Sequence, residues 1–193
     1  MPPKIKVSKE DIIKTALEMV RAKGPEALNA RSIAVELNCS TQPIFSNFAN
    51  MTELQAATKT YAYNIYLNFI KEEVESESYP AYKAFGMAYI RFAKEEKELF
   101  KLLFMCDRSD DELTPTSDFE ASVEMIMNAN RISRETASLM HLEMWTFVHG
   151  IGTMLATSFL ELDRELISNM ITDVYQGIRL RHIKGATNDG NKN

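Results

Sequence analysis

Residues 30–48 read Ala30-Arg31-Ser32-Ile33-Ala34-Val35-Glu36-Leu37-Asn38-Cys39-Ser40-Thr41-Gln42-Pro43-Ile44-Phe45-Ser46-Asn47-Phe48. Asn29 precedes the stretch as a helix N-cap, and Ala30 to Leu37 form a short predicted helix with Ile33, Ala34 and Leu37 on one face. Asn38 stands just past its end, where a left-handed residue is needed and Asn is tolerated. Ser40 is read as the cap of a second short helix with Pro43 in its first turn, where a missing N–H costs nothing. Ile44, Phe45 and Phe48 are expected to carry that helix inward. Helices joined only by Asn38-Cys39-Ser40 must cross steeply, and Ala34 is small enough for the close approach. Ile33, Leu37, Cys39 and Ile44 fall at the spacing by which a helix-turn-helix buries its inner faces. Thr41, Gln42, Ser46 and Asn47 project outward, with no carboxylate among them. Gln and Asn pair with adenine edges, and Ser and Thr reach bases or phosphates, so the stretch suits double-stranded DNA. A plain polar surface on a small helical hairpin is the other reading of the same residues.

Outward from this stretch the chain reads as helix almost throughout. Ser8-Lys9-Glu10-Asp11 has the form of a capping box and opens a helix with Ile12, Ile13, Ala16, Leu17 and Val20 at helical spacing, stopped by Gly24-Pro25. Asn50-Met51-Thr52-Glu53 opens a long helix to about Glu77. Further helices are expected from Pro80 to about Glu95, Lys97 to Phe104, Ser117 to about Asn128, Ser133 to about Leu160 and Asp163 to about Ile183. Residues 106–116 are polar and loop-like. The fold class is therefore all-α: an N-terminal three-helix helix-turn-helix domain (1–50), a larger helical domain (51–184), and a polar disordered tail (185–193).

Composition removes several classes. The chain has 193 residues, 45% hydrophobic and 25% charged, which excludes general disorder. Seven Gly and six Pro are few for an all-β protein. No apolar run reaches the ~18–20 residues that span a bilayer. The N-terminus lacks the apolar core of a signal peptide. Cys39 and Cys106 make neither a disulfide framework nor a zinc set. The expectation is a cytoplasmic protein without membrane contact, metal or cofactor. No Gly-rich phosphate loop, nucleophile elbow, HExxH or CxxC is present, so an enzyme is not expected. Net charge is −5, yet residues 1–50 carry +2 and the remainder −7. A basic head on an acidic body fits a head that touches a polyanion.

Residues 9–54 resemble the DNA-binding domain of the TetR family of transcriptional regulators. The elements that carry the resemblance are Gly24, Leu28-Asn29-Ala30-Arg31-Ser32-Ile33-Ala34, Leu37-Asn38-Cys39-Ser40, Ile44-Phe45-Ser46-Asn47-Phe48 and Asn50-Met51-Thr52-Glu53-Leu54. The resemblance implies a DNA-contact set of Arg31, Thr41, Gln42, Pro43, Phe45, Ser46, Asn47 and Thr52. It departs from the family pattern at Phe45 for Tyr, Asn47 for His, Met51 for Lys and Asn38 for Gly. Two phosphate-binding groups are thereby missing, and Lys4, Lys6 and Lys9 are candidates to replace them as a flexible arm.

The later helices carry the sensing question. The helix from Ser133 is apolar on nearly all sides, with Gly150, Gly152 and Ala156 lowering its profile. The last helix adds Leu166, Ile167, Met170, Ile171, Val174 and Ile178. The family resemblance implies a homodimer through these last two helices, a pseudo-palindromic operator and an unknown small-molecule effector. The expected role is that of a repressor released by this effector. Trp145-Thr146-Phe147-Val148-His149-Gly150 resembles the signature of the WHG class of TetR C-terminal domains. Candidate ligand-binding residues are Phe85, Tyr89, Phe104, Met105, Met125, His141, Met144, Trp145 and His149, each also readable as core. A helical protein that lost DNA binding and acts through protein contacts is the alternative function.

Overall fold

The structure, a computed structural model, describes residues 7–107 and 117–188. All regular elements among them are helical: α1 (Lys9–Lys23), a 3-10 turn (Pro25–Ala27), α2 (Ala30–Glu36), α3 (Gln42–Asn47), α4 (Met51–Glu75), α5 (Ala81–Glu95), α6 (Lys97–Phe104), α7 (Ser117–Asn130), α8 (Arg134–Ala156) and α9 (Arg164–Asn188). They fall into two compact units. The first holds the described residues up to Asn68 together with Glu95–Asp107. The second holds Phe69–Lys94 and the described residues from 117 onward. The unit with the helix-turn-helix thus reaches past residue 50, because the first part of α4 and the whole of α6 pack with it.

Local chemistry accounts for most boundaries. Asp11 N–H donates to Ser8 Oγ at 3.1 Å and Ser8 N–H donates back to Asp11 Oδ2 at 3.0 Å, completing the capping box of α1. Asn29 Oδ1 accepts Ser32 N–H at 2.9 Å, and Asn50 Oδ1 accepts Glu53 N–H at 2.9 Å. α2 closes through Asn38 at φ 50°, with Asn38 N–H on Val35 O and Cys39 N–H on Ala34 O. That pair of bonds is a Schellman closure, in which Asn serves where Gly is usual.

Three boundaries differ from expectation. α3 starts at Gln42 behind Thr41, and Ser40 is not its cap; Thr41 lies in right-handed backbone and makes no side-chain capping bond. α8 ends at Ala156 rather than near Leu160. Ser158 is left-handed (φ 55°), and the Ser158 and Phe159 N–H groups close back on Leu155 O and Met154 O in a second Schellman closure. α9 continues to Asn188, so residues 185–188 of the expected tail are helical, while 189–193 lie outside the described residues.

In the first unit, α1 buries Ile12, Ile13, Ala16, Leu17, Met19 and Val20, and α6 buries Leu99, Phe100 and Leu102. Arg21 donates to both Glu96 oxygens, at 2.9 and 2.8 Å, and so fixes the entry to α6 against α1. Gly24 has φ 83°, and a Cβ placed there would stand 3.1 Å from Glu98 Oε2, so both backbone and space favour Gly. In the second unit α7 and α8 share a core of Val123, Ile126, Ala137 and Met140, flanked by Tyr82, Phe119 and Tyr175.

Candidate nucleic-acid interface and buried polar core

The α2–α3 hairpin is held by side chains that are almost wholly buried: Ile33, Ala34, Ile44 and Phe48. Leu37 and Cys39 are half-buried. Around this wedge the expected contact residues fall on the outside. Arg31, Thr41, Gln42, Phe45, Ser46 and Thr52 are exposed, and Pro43 and Asn47 are half-buried. Phe45 is the correction here: its side chain is 47% exposed and does not enter the core. Ile44 and Phe48, four residues apart on one face, already fill the inner side.

Two of the outward polar groups are bonded to their own helix. Ser46 Oγ donates to Gln42 O at 2.8 Å, and Asn47 Nδ2 donates to Pro43 O at 2.8 Å. Lys9 is not part of a flexible arm. It is the first residue of α1, its ammonium lies 4.6 Å from the Phe48 ring centroid and 3.4 Å from Glu53 Oε1. Glu53 also accepts Ala49 N–H at 2.7 Å, and that bond, with Lys9 second, holds its carboxyl below the usual range. Lys4 and Lys6 lie outside the described residues.

The expected ligand residues are divided between the two units. Phe104 and Met105 belong to the first unit, where Phe104 packs its ring 5.3 Å from those of Tyr66 and Phe100 and Met105 is 40% exposed. The others lie in the second unit. Met144 is buried, Phe85 and Met125 are half-buried, and Trp145 is exposed.

The chemistry of that unit centres on two tyrosine–histidine pairs between α5 and α8. Tyr82 Oη lies 3.0 Å from His141 Nδ1, and Tyr89 Oη lies 2.8 Å from His149 Nδ1. Burial pushes both phenol pKa values up and both imidazole values down from their ordinary range. Each imidazole is therefore neutral near pH 7, and each Nδ1 shares one hydrogen bond with its phenol. The Asp118 charge opposes the shift of His141 without reversing it. Phe119 packs edge-on to His141 at 4.9 Å, and Trp145 stacks on His149 at 5.0 Å with rings 17° apart.

Sequence reasoning missed Tyr82, and it missed Glu73. Glu73 is 2% exposed and pairs with Arg91 Nη1 at 3.5 Å and with Arg164, tying α4 to α5 and α9. A signal was available, since Glu73 continues the buried helical line Tyr66–Ile70 on α4. Beside it, Lys83 donates to Ser168 Oγ and Thr172 Oγ1 at 2.7 and 2.8 Å and lies over the Tyr79 ring. Among the described residues, no group of three His, Cys, Asp or Glu is placed to hold a metal ion, and no helix is long and apolar enough to cross a membrane.

Comparison with solved structures decides the fold type. A TetR-like transcriptional regulator from Rhodococcus sp. RHA1 superimposes with a TM-score of 0.62 over 97% of this chain and 98% of its own, at 9% identity. The fold is that of TetR-like regulators. A TetR family member from Streptomyces coelicolor A3 is similar with a TM-score of 0.61 at 18% identity, covering 86% of this chain and 96% of its own. A protein of unknown function from Rhodococcus sp. RHA1 is similar with a TM-score of 0.69 at 20% identity, over 93% and 97% of the two chains. No family model matches the sequence, and no curated protein is similar to it at a significant level. The TetR-like architecture is thus common to proteins that share less than a quarter of their residues with this chain.

Proposed function

We propose that this TetR-like protein is a transcription regulator that binds DNA as a homodimer. In this reading it represses from a pseudo-palindromic operator and leaves it when a small molecule binds the helical domain over residues 51–184. The observation that carries the reading is the exposed face of α3. It presents Thr41, Gln42 and Ser46 with Arg31 and Thr52 nearby in the chain, and no carboxylate lies on α3 itself. A carboxylate there would repel phosphate, whereas these groups reach bases and backbone. Met51 and Phe45 remove two phosphate contacts expected of the family.

Support for the homodimer comes from the outer faces of α8 and α9. Leu142, Trp145, Leu166 and Leu180 are exposed there, and nothing lies within 4 Å of a Cβ built on Gly150 or Gly177. Large apolar side chains beside glycine suit the close approach of helices from a second copy. The paired recognition helices would then meet half-sites ~34–36 Å apart or at multiples of that spacing. The Trp145–His149 stack followed by Gly150 supports the WHG-type reading of the sensing domain. An effector acts by preferring a conformation whose heads do not match the operator, with α4, which contributes to both units, as the transmitting element.

The test is selection of genomic fragments by the purified dimer at low salt, followed by sequencing, with Gln42→Ala alongside. A palindromic site recovered by the wild type and lost by the variant, with affinity falling steeply as salt rises, is the expected result. The engagement of Lys9 by Glu53 favours one second reading, a helical protein acting through protein contacts. A dimer that enriches no fragment would sink the first reading and turn the search to protein partners.

A further inference from the structure

The inference rests on the DNA-binding reading and concerns which base pairs α3 reads. Four observations bear on it. First, Thr41 and the six residues of α3 include no Arg or Lys. Those are the side chains that take guanine O6 and N7, the commonest specific contact in the major groove. Second, the Ser46 hydroxyl proton and one of the two Asn47 amide protons are committed to Gln42 O and Pro43 O, each at 2.8 Å. Using them on a base means first breaking a bond within the helix. Third, Gln42 is exposed at the start of α3, and none of the described residues hydrogen-bonds its amide. It keeps one donor pair and one acceptor, the combination that matches adenine N6 and N7. Fourth, Phe45 is 47% exposed, three residues after Gln42 and so beside it on the helix surface.

An exposed phenyl ring brings no hydrogen bond to a groove. The one apolar group that the major groove offers is the thymine 5-methyl. Gln42 and Phe45 together present an amide for adenine and a hydrocarbon surface for thymine, side by side. The geometry points to α3 as a reader of A·T pairs, with Phe45 packing against a thymine 5-methyl group next to or within the pair that Gln42 bonds. Phe45 is then a specificity residue and not the mere loss of a phosphate-bonding hydroxyl.

The experiment uses the full-length dimer and the palindromic site it selects. Every thymine of that duplex is replaced by uracil, which removes the methyl and leaves base pairing unchanged. The wild type is expected to lose about fourfold in affinity per half-site for one methyl group. Phe45→Ala is expected to bind the thymine duplex more weakly and to make no distinction between thymine and uracil. Because Phe45 is exposed, its truncation leaves the core wedge of Ile44 and Phe48 in place. Circular dichroism and the urea midpoint check this. Equal affinity of the wild type for both duplexes, with salt-dependent binding intact, overturns the inference and leaves the regulator reading standing. So does a Phe45→Ala variant that still prefers thymine, or a selected half-site with no A·T pair in the α3 footprint. Failure to bind any duplex overturns both.

Discussion

The interior of the first unit is hydrocarbon, from Ile12 and Val20 on α1 through Ile33, Ile44 and Phe48 to Leu99 and Phe100. Among its described residues the buried Thr58 hydroxyl bonds the Leu54 carbonyl within its own helix at 2.8 Å. The second unit buries Glu73, His141, Ser122 and Ser168, and it pairs phenols with imidazoles across α5 and α8. The first keeps most of its hydrogen-bonding chemistry outside, as on the exposed face of α3. The second keeps it inside, where low dielectric strengthens each bond and makes each unpaired group costly. A hydrocarbon core holds the surface around it rigid over a wide pH range. A polar core is sensitive to protonation and to any molecule that offers alternative hydrogen bonds.

The comparison can be broken most forcibly at Phe48. Phe48→Ala empties a site that is 2% exposed and is expected to cost about 3–5 kcal/mol, confined to the first unit. Hydrogen exchange should show residues 30–48 losing protection while α7 and α8 keep theirs. Equal loss in both would mean that the units do not hold separate cores. Next in size is Glu73→Gln, which leaves Arg91 and Arg164 facing a neutral group. The expected cost is about 3 kcal/mol in urea unfolding, because the carboxylate is buried while Arg164 is half exposed. A cost below about 1 kcal/mol would remove Glu73 from the forces that hold the second unit. Asn29→Ala removes the cap of α2 and should cost about 1 kcal/mol, read from the same urea curves.

The smallest effect near neutrality is the one that distinguishes the two cores by pH. The folded pKa values of His141 and His149 lie below the ordinary 6.5, owing to burial. The unfolded chain therefore binds protons that the folded chain refuses once pH falls below about 6.5, and stability declines from there down through the folded pKa values. The urea midpoint of the second unit should drop between pH 7.5 and 5.5, and His141→Gln with His149→Gln should flatten the dependence. A head transition that moves as much as that of the second unit would refute the contrast.

Much of the helix-turn-helix was legible because its signals are local. Asn29, Asn38 and Asn50 act within three or four residues of themselves, and a capping bond or left-handed backbone forms whatever surrounds it. That Thr41 and not Ser40 precedes the first residue of α3 was not legible, since two adjacent hydroxyl residues offer equivalent chemistry. Nor was the outward turn of Phe45, because hydrophobicity alone does not say which of Ile44, Phe45 and Phe48 the wedge has room for.

The amino-acid sequence by itself determined the all-helical class, the order of the helices and the hairpin at residues 30–48, because periodicity and caps are properties of neighbours along the chain. Only the tertiary structure decided that Tyr82 meets His141, that Tyr89 meets His149 and that Glu73 meets Arg91 and Arg164. It alone assigned Phe104 and Met105 to the first unit. These pairings join helices far apart in sequence, between 18 and 91 residues, and each depends on which faces the packing brings together.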